Sequence, residues 1–279
     1  MSGPVDQYGV VGHPVAHSLS PFIHAMFARQ TGQAMSYRLF DFAPEAFDER
    51  LAGFFAQGGR GLNITLPYKI AALAKAEELT DRARRAGAVN TLAVRREGGI
   101  LGDNTDGAGL VHDLCVNLRL TVTRRRVLLI GAGGAARGVL APLLALEPET
   151  VVIANRTADR AKALAASFAD LGNVQGMGFR YITGGAYDLI VNATSASLTG
   201  EMPDVPVAVV GPETFCYDMA YGRGDTPFIR WGLELGCRDA VTGLGMLVEQ
   251  AAESFRLWRG VRPLTTPVLA ALEERVTSS

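Results

Sequence analysis

Closely spaced glycines follow a short hydrophobic stretch near the middle of the chain. Gly131, Gly133 and Ala136 stand in the spacing Gly-x-Gly-x-x-Ala directly after Val127–Ile130. In such a pattern the first glycine permits a tight turn, the second lets a pyrophosphate approach the backbone, and the last small residue lets a helix pack on a strand. Free N–H groups at the start of the helix favour the phosphate charge. The stretch therefore predicts a dinucleotide-binding strand, turn and helix.

A second hydrophobic strand supports this interpretation, because the glycine pattern alone also occurs in ordinary turns. Val151–Ala154 follows the predicted helix Ala135–Leu146 and completes a βαβ unit of the expected length, roughly 30 residues. At the end of this strand, where NAD-binding proteins commonly have an acidic residue, the chain has Asn155–Thr157, and Arg160 follows one helical turn later. Arginine forks suit a 2′-phosphate, which predicts NADP(H) as the cofactor. The alternative is that these arginines are only solvated at a helix start.

Composition limits the classes of function. The 279 residues are 48% hydrophobic with a formal net charge of −1, which allows one large or two moderate domains and argues against a broad nucleic-acid surface. The three cysteines have no metal-binding spacing and are predicted to be reduced core residues, as in a reducing compartment. We expect no metal, because the histidines lack a carboxylate partner. The absence of a signal-like N-terminus or a long apolar run predicts a cytoplasmic protein with no membrane contact.

Two serines stand near a predicted helix start in the first part of the chain. Ser18 and Ser20 follow the predicted strand Tyr8–Gly12, and Pro21 suits the first turn of a helix. Ser20 alone would be a natural N-cap. Two hydroxyls at a helix mouth can also hold a small carboxylate, so the sequence leaves the capping and ligand-binding alternatives open.

Further polar residues lie where the strands of a doubly wound sheet end. Thr65 and Lys69 follow a predicted strand and precede a predicted helix, Ile70–Glu78, so both are expected beyond the carboxyl end of that strand, where ligands bind. By position alone, Lys69 could equally be a surface lysine. Asn90 is a polar residue inside the predicted strand Gly87–Leu92, which indicates an amide directed at a specific partner.

The order of the elements predicts an α/β fold with two domains. A substrate-binding catalytic domain with a mostly parallel sheet is predicted over 1–106 plus 241–279, and a Rossmann NADP-binding domain over 107–240. The last helices are expected to return to the first domain, because their apolar face has no partner within the nucleotide-binding part.

Taken together, nine stretches resemble the shikimate dehydrogenase family, and the match covers nearly the whole chain. They are His17–Pro21, Asn63–Lys69, Gly87–Thr91, Gly102–Gly107, Gly131–Arg137, Asn155–Thr157, Asn192–Ser195, Asp218–Tyr221 and Gly243–Gln250. The resemblance implies reversible NADPH-dependent reduction of 3-dehydroshikimate to shikimate in chorismate and aromatic amino-acid biosynthesis.

The resemblance also implies roles for individual residues. Lys69 would exchange the proton at the C3 oxygen of the substrate, paired with Asp106. The substrate-binding residues would be Ser18, Ser20, Thr65, Lys69, Asn90, Asp106, Tyr221 and Gln250. The cofactor-binding residues would be Asp81, Gly131, Ala132, Gly133, Gly134, Ala135, Asn155, Arg156, Thr157, Arg160, Thr194, Met219 and Gly243.

Two other functions stay open at this point. A dual-specificity quinate/shikimate dehydrogenase would share the fold, and a non-catalytic NADP-binding regulator would keep the cofactor site without turnover. The presence of both Lys69 and Asp106 argues against the regulator. The expected partner is a small molecule, and the sequence leaves the oligomeric state open, with a homodimer as one alternative.

Overall fold

A computed structural model of the chain describes residues 5–222 and 224–277. The chain divides into two compact units. Unit 1 comprises Met1–Gly109 and Leu247–Ala270, and unit 2 comprises Leu110–Met246 and Ala271–Ser279. The boundaries expected from the sequence, 106/107 and 240/241, lie a few residues from the divisions at 109/110 and 246/247, whereas the division at 270/271, inside the last helix, was not expected. The assignment of a function to each domain stays a prediction.

Strands and helices alternate along most of the chain, which confirms the α/β class. The strands in the described residues are β1 (Asp6–Gly12), β2 (Met35–Asp41), β3 (Gly59–Ile64), β4 (Glu78–Leu79), β5 (Thr91–Val94), β6 (Ile100–Asp103), β7 (Arg126–Ile130), β8 (Thr150–Asn155), β9 (Val174–Gly178), β10 (Leu189–Asn192), β11 (Phe215–Asp218) and β12 (Asp239–Thr242). The helices are α1 (Ser20–Thr31), α2 (Phe47–Ala56), α3 (Asp81–Ala86), α4 (Asp106–His112), α5 (Gly134–Leu144), α6 (Ala158–Ala166), α7 (Pro227–Glu234), α8 (Leu244–Arg259) and α9 (Thr266–Thr277).

The sheet of unit 1 has the order β2-β1-β3-β5-β6-β4. β1 pairs in parallel with β2 and β3, and β4 pairs in parallel with β6, whereas β5 runs antiparallel to β3 and β6. Because β1 and β3 are parallel neighbours, the residues that follow them lie at the same edge of the sheet.

Two predicted elements of unit 1 are wrong in extent. The predicted helix Ile70–Glu78 is only a 3-10 segment, Ala71–Lys75, after which the chain pairs as β4 with β6. The predicted strand Gly87–Leu92 begins only at Thr91, because Gly87 has a φ of 60° and ends α3 as its left-handed C-cap.

Trp258 of α8 anchors this helix to the sheet of unit 1. A Cβ at Gly61 of β3 would lie 2.4 Å from the indole Nε1, so only glycine leaves room for the ring at this position. The same Nε1 donates a hydrogen bond to the carbonyl of Leu92 at 3.0 Å. A residue from the last part of the chain is thereby held against two central strands.

The sheet of unit 2 has the order β12-β11-β10-β7-β8-β9, and its pairs among the described residues are parallel. The winding direction changes between β7 and β10, which is the topological switch point where such sheets bind ligands. Val127 and Leu129 of β7 pack into one apolar cluster, while Leu128 and Ile130 pack into another, together with Trp231 of α7. Both faces of β7 are therefore buried, as its sequence predicts.

Within the described ranges, no helix combines the length and hydrophobicity needed to cross a bilayer. The same ranges contain no group of three or more His, Cys, Asp or Glu side chains arranged to hold a metal ion.

Candidate active site

Lys69 and Asp106 form an ion pair in unit 1. The Nζ atom of Lys69 donates to Oδ2 of Asp106 at 2.6 Å, and the two side chains are 13% and 5% exposed. Lys69 lies after β3, and Asp106 is the first residue of α4, where a carboxylate is favoured by the helix dipole. The pair therefore places an ammonium, a proton donor, in a site largely shielded from water.

The backbone around Lys69 is held on both sides. The carbonyl of Lys69 accepts a hydrogen bond from the N–H of Val89 at 2.7 Å, and the N–H of Tyr68 donates to the carbonyl of Thr65 at 2.9 Å. The hydroxyl of Tyr68 also donates to the carbonyl of Phe42. The backbone that carries the Lys69 side chain is thus fixed by hydrogen bonds, although this segment is a loop.

Asn90 holds the other oxygen of the Asp106 carboxylate. Its Nδ2 donates to Oδ1 of Asp106 at 2.8 Å and lies 3.3 Å from Oε1 of Gln250 on α8. Four of the predicted substrate-binding residues, Lys69, Asn90, Asp106 and Gln250, are therefore neighbours in unit 1. Together they offer one cation, one anion and two amides, a set that suits a small molecule with several hydroxyls.

Ser18, Ser20 and Thr65 follow β1 and β3 at the shared edge of the sheet. The hydroxyl of Ser18 donates to that of Ser20 at 3.1 Å. The N-cap of α1 is Leu19 and Ser20 is already the first residue of the helix, so the capping alternative for Ser20 is wrong. Oγ of Ser18 accepts a hydrogen bond from the backbone N–H of Ser20 at 3.3 Å. Because the Ser20 hydroxyl is not used for capping, the ligand-binding alternative remains for this pair.

Two further predicted site residues come from other elements of the chain. Tyr221 follows β11 and belongs to unit 2. Asp81 is the first residue of α3, where its exposed carboxylate accepts a hydrogen bond from Nη1 of Arg84 at 2.7 Å. No hydrogen bond among the described residues joins Asp81 to Lys69 or Asp106.

The glycine turn of unit 2 connects β7 to α5. Gly131 has a φ of 114°, and a Cβ there would lie 3.1 Å from the carbonyl oxygen of Ala193, so this position requires glycine. Gly133 is the N-cap of α5 in an ordinary extended conformation, and a Cβ there would meet nothing within 4 Å. The space beside Gly133 is thus open at the N-terminus of a helix, as a bound pyrophosphate requires. Ala132, Gly134 and Ala135 complete the turn.

The residues after β8 present cationic side chains to solvent. Arg156 and Arg160 are exposed, and neither takes part in an ion pair among the described residues. Nδ2 of Asn155 donates to the carbonyl of Thr157 at 2.9 Å and closes the turn. Two arginines without a carboxylate partner near the start of α6 fit an anionic ligand.

Asn192 links the turns that follow β10 and β11. Its Oδ1 accepts a hydrogen bond from the hydroxyl of Thr194 at 2.8 Å, and its Nδ2 donates to Asp218 at 3.0 Å. Burial raises the pKa of Asp218, although hydrogen bonds to the carboxylate act in the opposite direction. A Cβ at Gly243 would lie 2.7 Å from the carbonyl oxygen of Met219. Thr194, Met219 and Gly243 are therefore held by contacts within unit 2.

Asp103, which the sequence did not single out, holds the turn that ends in Asp106. Its buried carboxylate accepts hydrogen bonds from Nε of Arg82 and the hydroxyl of Thr80, both at 2.6 Å. Burial acts to raise the pKa of Asp103, but the hydrogen bond and charge of Arg82 outweigh it and hold the pKa below its ordinary value. The small, acidic character of the Gly102–Gly107 stretch was the available signal for this role.

A group of buried and partly buried polar residues behind Asn90 was also missed. These side chains come from β2, β3, β5, the turn before α4, and α8, and they are Tyr37, Asn63, Thr91, Thr105 and Ser254. Asn63 and Thr91 could have been noticed as polar residues in hydrophobic strands. Ser254 gives no signal, because nothing in a sequence shows that it meets a residue 191 positions away.

Three family profiles match separate parts of the chain. Residues 10–92 match the "Shikimate dehydrogenase substrate binding domain", residues 116–199 match "Shikimate / quinate 5-dehydrogenase", and residues 243–273 match the "Shikimate 5'-dehydrogenase C-terminal domain". The matched segments include most of the residues described above.

Whole-chain comparisons give the same family. The chain is 53% identical over 274 residues to the shikimate dehydrogenase (NADP(+)) of Methylococcus capsulatus, with 98% of both chains covered. It is 55% identical over 272 residues to that of Aeromonas hydrophila, covering 98% of this chain and 99% of the relative. The crystal structure of shikimate 5-dehydrogenase from Thermus thermophilus in complex with NADP(H) and shikimate superimposes with a TM-score of 0.84 at 35% identity, covering 97% of this chain and 99% of the other.

Proposed function

The chain belongs to the shikimate dehydrogenase family, and from this premise we propose that it catalyses the reversible NADPH-dependent reduction of 3-dehydroshikimate to shikimate, a step of aromatic amino-acid biosynthesis. The observation that carries the proposal is the shielded pair of Lys69 and Asp106, with Asn90 on the second carboxylate oxygen. The pair supplies the proton donor that a ketone reductase needs, and the glycine turn of unit 2 supplies the nucleotide site.

Lys69 is the proposed acid in the direction of reduction. Bound NADPH supplies the hydride to the C3 carbonyl carbon of the substrate. The C3 oxygen then carries developing negative charge, which the Lys69 ammonium stabilises and neutralises by giving up one proton. In the oxidation of shikimate, the neutral amine takes the proton back. Asp106 keeps the ammonium in place, and its carboxylate accepts a hydrogen bond from the adjacent ring hydroxyl.

The remaining polar residues would hold the substrate. Ser18, Ser20 and Tyr221 are proposed to bind its carboxylate through their hydroxyls, since the hydroxyls of Ser18 and Ser20 are neighbours and the Ser20 hydroxyl does not cap α1. Thr65, Asn90, Asp106 and Gln250 are proposed to bind the ring hydroxyls. An amide can both donate and accept, so Asn90 and Gln250 suit hydroxyl groups.

The described residues of unit 2 fit NADP(H). The open space beside Gly133 and the N-terminus of α5 would accept the pyrophosphate, while Arg156 and Arg160 would bind the 2′-phosphate of the adenosine. The full set is Gly131, Ala132, Gly133, Gly134, Ala135, Asn155, Arg156, Thr157, Arg160, Thr194, Met219 and Gly243. Asp81 stays the weakest member, because its exposed side chain pairs with Arg84.

Use of quinate is a second candidate activity, favoured by the match of residues 116–199 to the shikimate/quinate profile. Quinate carries the same carboxylate and the same three ring hydroxyls, but it has an added hydroxyl on C1, which bears the carboxylate, and it lacks the C1=C2 double bond of shikimate. The residues proposed to bind that end, Ser18, Ser20 and Tyr221, are therefore the ones expected to discriminate.

The test is an assay of NADPH absorbance with the purified protein. Shikimate and quinate are offered separately, each with NADP and with NAD. We expect shikimate with NADP to give a kcat/KM at least tenfold above the other three combinations. Turnover of neither alcohol would reject the proposed activity, and equal turnover of both would favour the dual-specificity alternative.

A cytoplasmic location and a homodimer are further predictions, and light scattering tests the latter.

A further inference from the structure

A chain of buried hydrogen bonds runs behind the proposed catalytic pair in unit 1. It connects Tyr37 on β2 with Asn63 on β3, then with Thr91 on β5, and reaches the Asp106 carboxylate through Asn90. Apart from the partly buried Tyr37, these residues are at most 6% exposed. In such surroundings each donor must meet an acceptor, so every hydrogen bond in this series has a fixed donor side and a fixed acceptor side.

The donor and acceptor sides are set first at Asn90. Its Oδ1 accepts hydrogen bonds from the backbone N–H of Thr105 at 2.8 Å and from the hydroxyl of Thr91 at 2.9 Å. Its Nδ2 therefore faces Asp106. A rotated amide would place its oxygen against a carboxylate oxygen and its NH₂ group against another N–H donor. Both contacts are repulsive.

The hydrogen bonds of Asn63 and Tyr37 determine that Thr91 acts as a donor. A hydroxyl has a single proton, and Oγ1 of Thr91 already receives Nδ2 of Asn63 at 3.1 Å. Asn63 is oriented in turn by the hydroxyl of Tyr37, which donates to its Oδ1 at 2.8 Å. The proton of Thr91 has two acceptors within reach, Asn90 and Ser254. Oγ of Ser254 donates its own proton to the carbonyl of Gln250 at 3.1 Å, so Thr91 is the donor toward both Asn90 and Ser254.

We propose that Thr91 is a positioning residue for the reaction: its hydroxyl keeps the Asn90 amide turned so that its nitrogen holds Asp106, and through Asp106 it fixes Lys69. Thr91 itself touches neither proton-transfer group. The inference rests on the proposed function, since it assigns Thr91 a part in the proton transfer by Lys69.

The main variant is Thr91→Val, which keeps the shape of the side chain and removes the hydroxyl. We expect kcat for shikimate oxidation to fall about tenfold, because Oδ1 of Asn90 loses one of the donors that hold the amide in place beside Asp106. The KM for NADP should stay within twofold, since no cofactor contact changes. Thr91→Ser, which restores the hydroxyl, should recover most of the turnover. If Thr91→Val does not fold, Thr91→Ala replaces it with the same expectation.

Thr214→Val is the matched control. Thr214 is a buried threonine of unit 2 whose hydroxyl donates to the carbonyl of Tyr187 at 2.6 Å, so its loss also leaves a buried partner unmatched. Turnover of the folded Thr214→Val enzyme should stay within twofold of the parent. A tenfold loss there would mean that any missing buried hydroxyl lowers activity, and it would overturn the specific role of Thr91.

A double-mutant cycle with Asn90→Ala tests the route of the effect. If Thr91 acts through Asn90, then Thr91→Val should cost less than twofold in the Asn90→Ala background. An equal tenfold loss in both backgrounds would overturn the proposal. The variant Lys69→Ala distinguishes failure of the proposed mechanism from failure of the role given to Thr91. Full turnover by Lys69→Ala rejects the proposed mechanism, whereas loss in Lys69→Ala combined with full turnover in Thr91→Val rejects only the role of Thr91.

Discussion

The ammonium of Lys69 and the carboxylate of Asp106 lie 2.6 Å apart although 37 positions separate them in the chain. A loop after β3 supplies one group and the first turn of α4 supplies the other. The pairing depends on how β4, β5 and β6 join the sheet of unit 1, because these three strands lie between the two elements in the sequence.

Replacement of Lys69 by alanine should remove the proton donor and leave the nucleotide site intact. We expect kcat to fall by about 100-fold or more, which is the usual contribution of general acid catalysis. The dissociation constant for NADPH, measured by fluorescence titration, should stay within twofold. Lys75→Ala is the control, since Lys75 belongs to the next 3-10 segment and pairs with Asp48. Unchanged turnover in Lys69→Ala would remove this residue from the mechanism.

The two glycines of the nucleotide turn should respond differently to alanine. Gly131→Ala forces a side chain into a φ of 114° beside the Ala193 carbonyl, so the free energy of unfolding should fall by about 1–3 kcal/mol. Gly133→Ala adds a methyl group to open space, so stability should change by less than about 0.5 kcal/mol. NADPH binding by Gly133→Ala should nevertheless weaken at least tenfold. Parent-like binding would show that the pyrophosphate does not approach this position.

Arg156→Gln should change the cofactor preference. Loss of a cation from the 2′-phosphate site should raise the KM for NADPH by about tenfold or more, since a hydrogen bond to a charged group contributes roughly 1.5–3 kcal/mol. The KM for NADH, which lacks this phosphate, should change little. Lys162→Gln is the charge-matched control, because Lys162 lies on α6, directly after the turn that holds Arg156, and pairs with Asp159. An equal change for NADPH and NADH would place Arg156 away from the 2′-phosphate.

The buried ring of His24 should make stability depend on pH. Burial lowers the pKa of His24 to about 3, while Asn63 acts in the opposite direction. The unfolded chain, with a pKa near 6.5, therefore binds the proton first as the pH falls. The free energy of unfolding therefore has its full value above pH 6.5 and decreases below it, by about 2 kcal/mol at pH 5.

His24→Phe should remove this dependence, because phenylalanine keeps a ring on Tyr37, where His24 is stacked at 4.1 Å, and binds no proton. Urea unfolding at pH 7.5 and pH 5 measures the difference for both proteins. His17→Gln, an exposed histidine of the same region, should keep the parent slope. The same decrease in His24→Phe as in the parent would assign the effect to other groups.

The sequence was sufficient to predict those parts of the fold and the site in which the residue types needed for the chemistry also determine the local backbone. The turn after β7 requires glycine at Gly131, and its sequence predicts both the strand and the helix beside it. Lys69, Asn90 and Asp106 were predicted from a family resemblance, and the structure places them in contact.

Long-range packing explains what the sequence did not indicate. β9 was missed because it contains two glycines and few β-branched residues. A Cβ at Gly176 would lie 2.2 Å from the carbonyl oxygen of Ala161, so the glycine that weakens the strand signal is what lets α6 pack on the strand. The contact between Asn63 and Ser254 likewise depends on the return of α8 to unit 1.

The indole of Trp258, seated over Gly61, gives the molecule an internal fluorescent label. The chain has two tryptophans, and the other, Trp231, packs into the apolar cluster of unit 2. Emission from a Trp231→Phe protein would report solvent entry around α8 and the unit 1 sheet, and emission from Trp258→Phe would report on α7. Melting of each half of the protein can thus be followed separately, without attaching a dye.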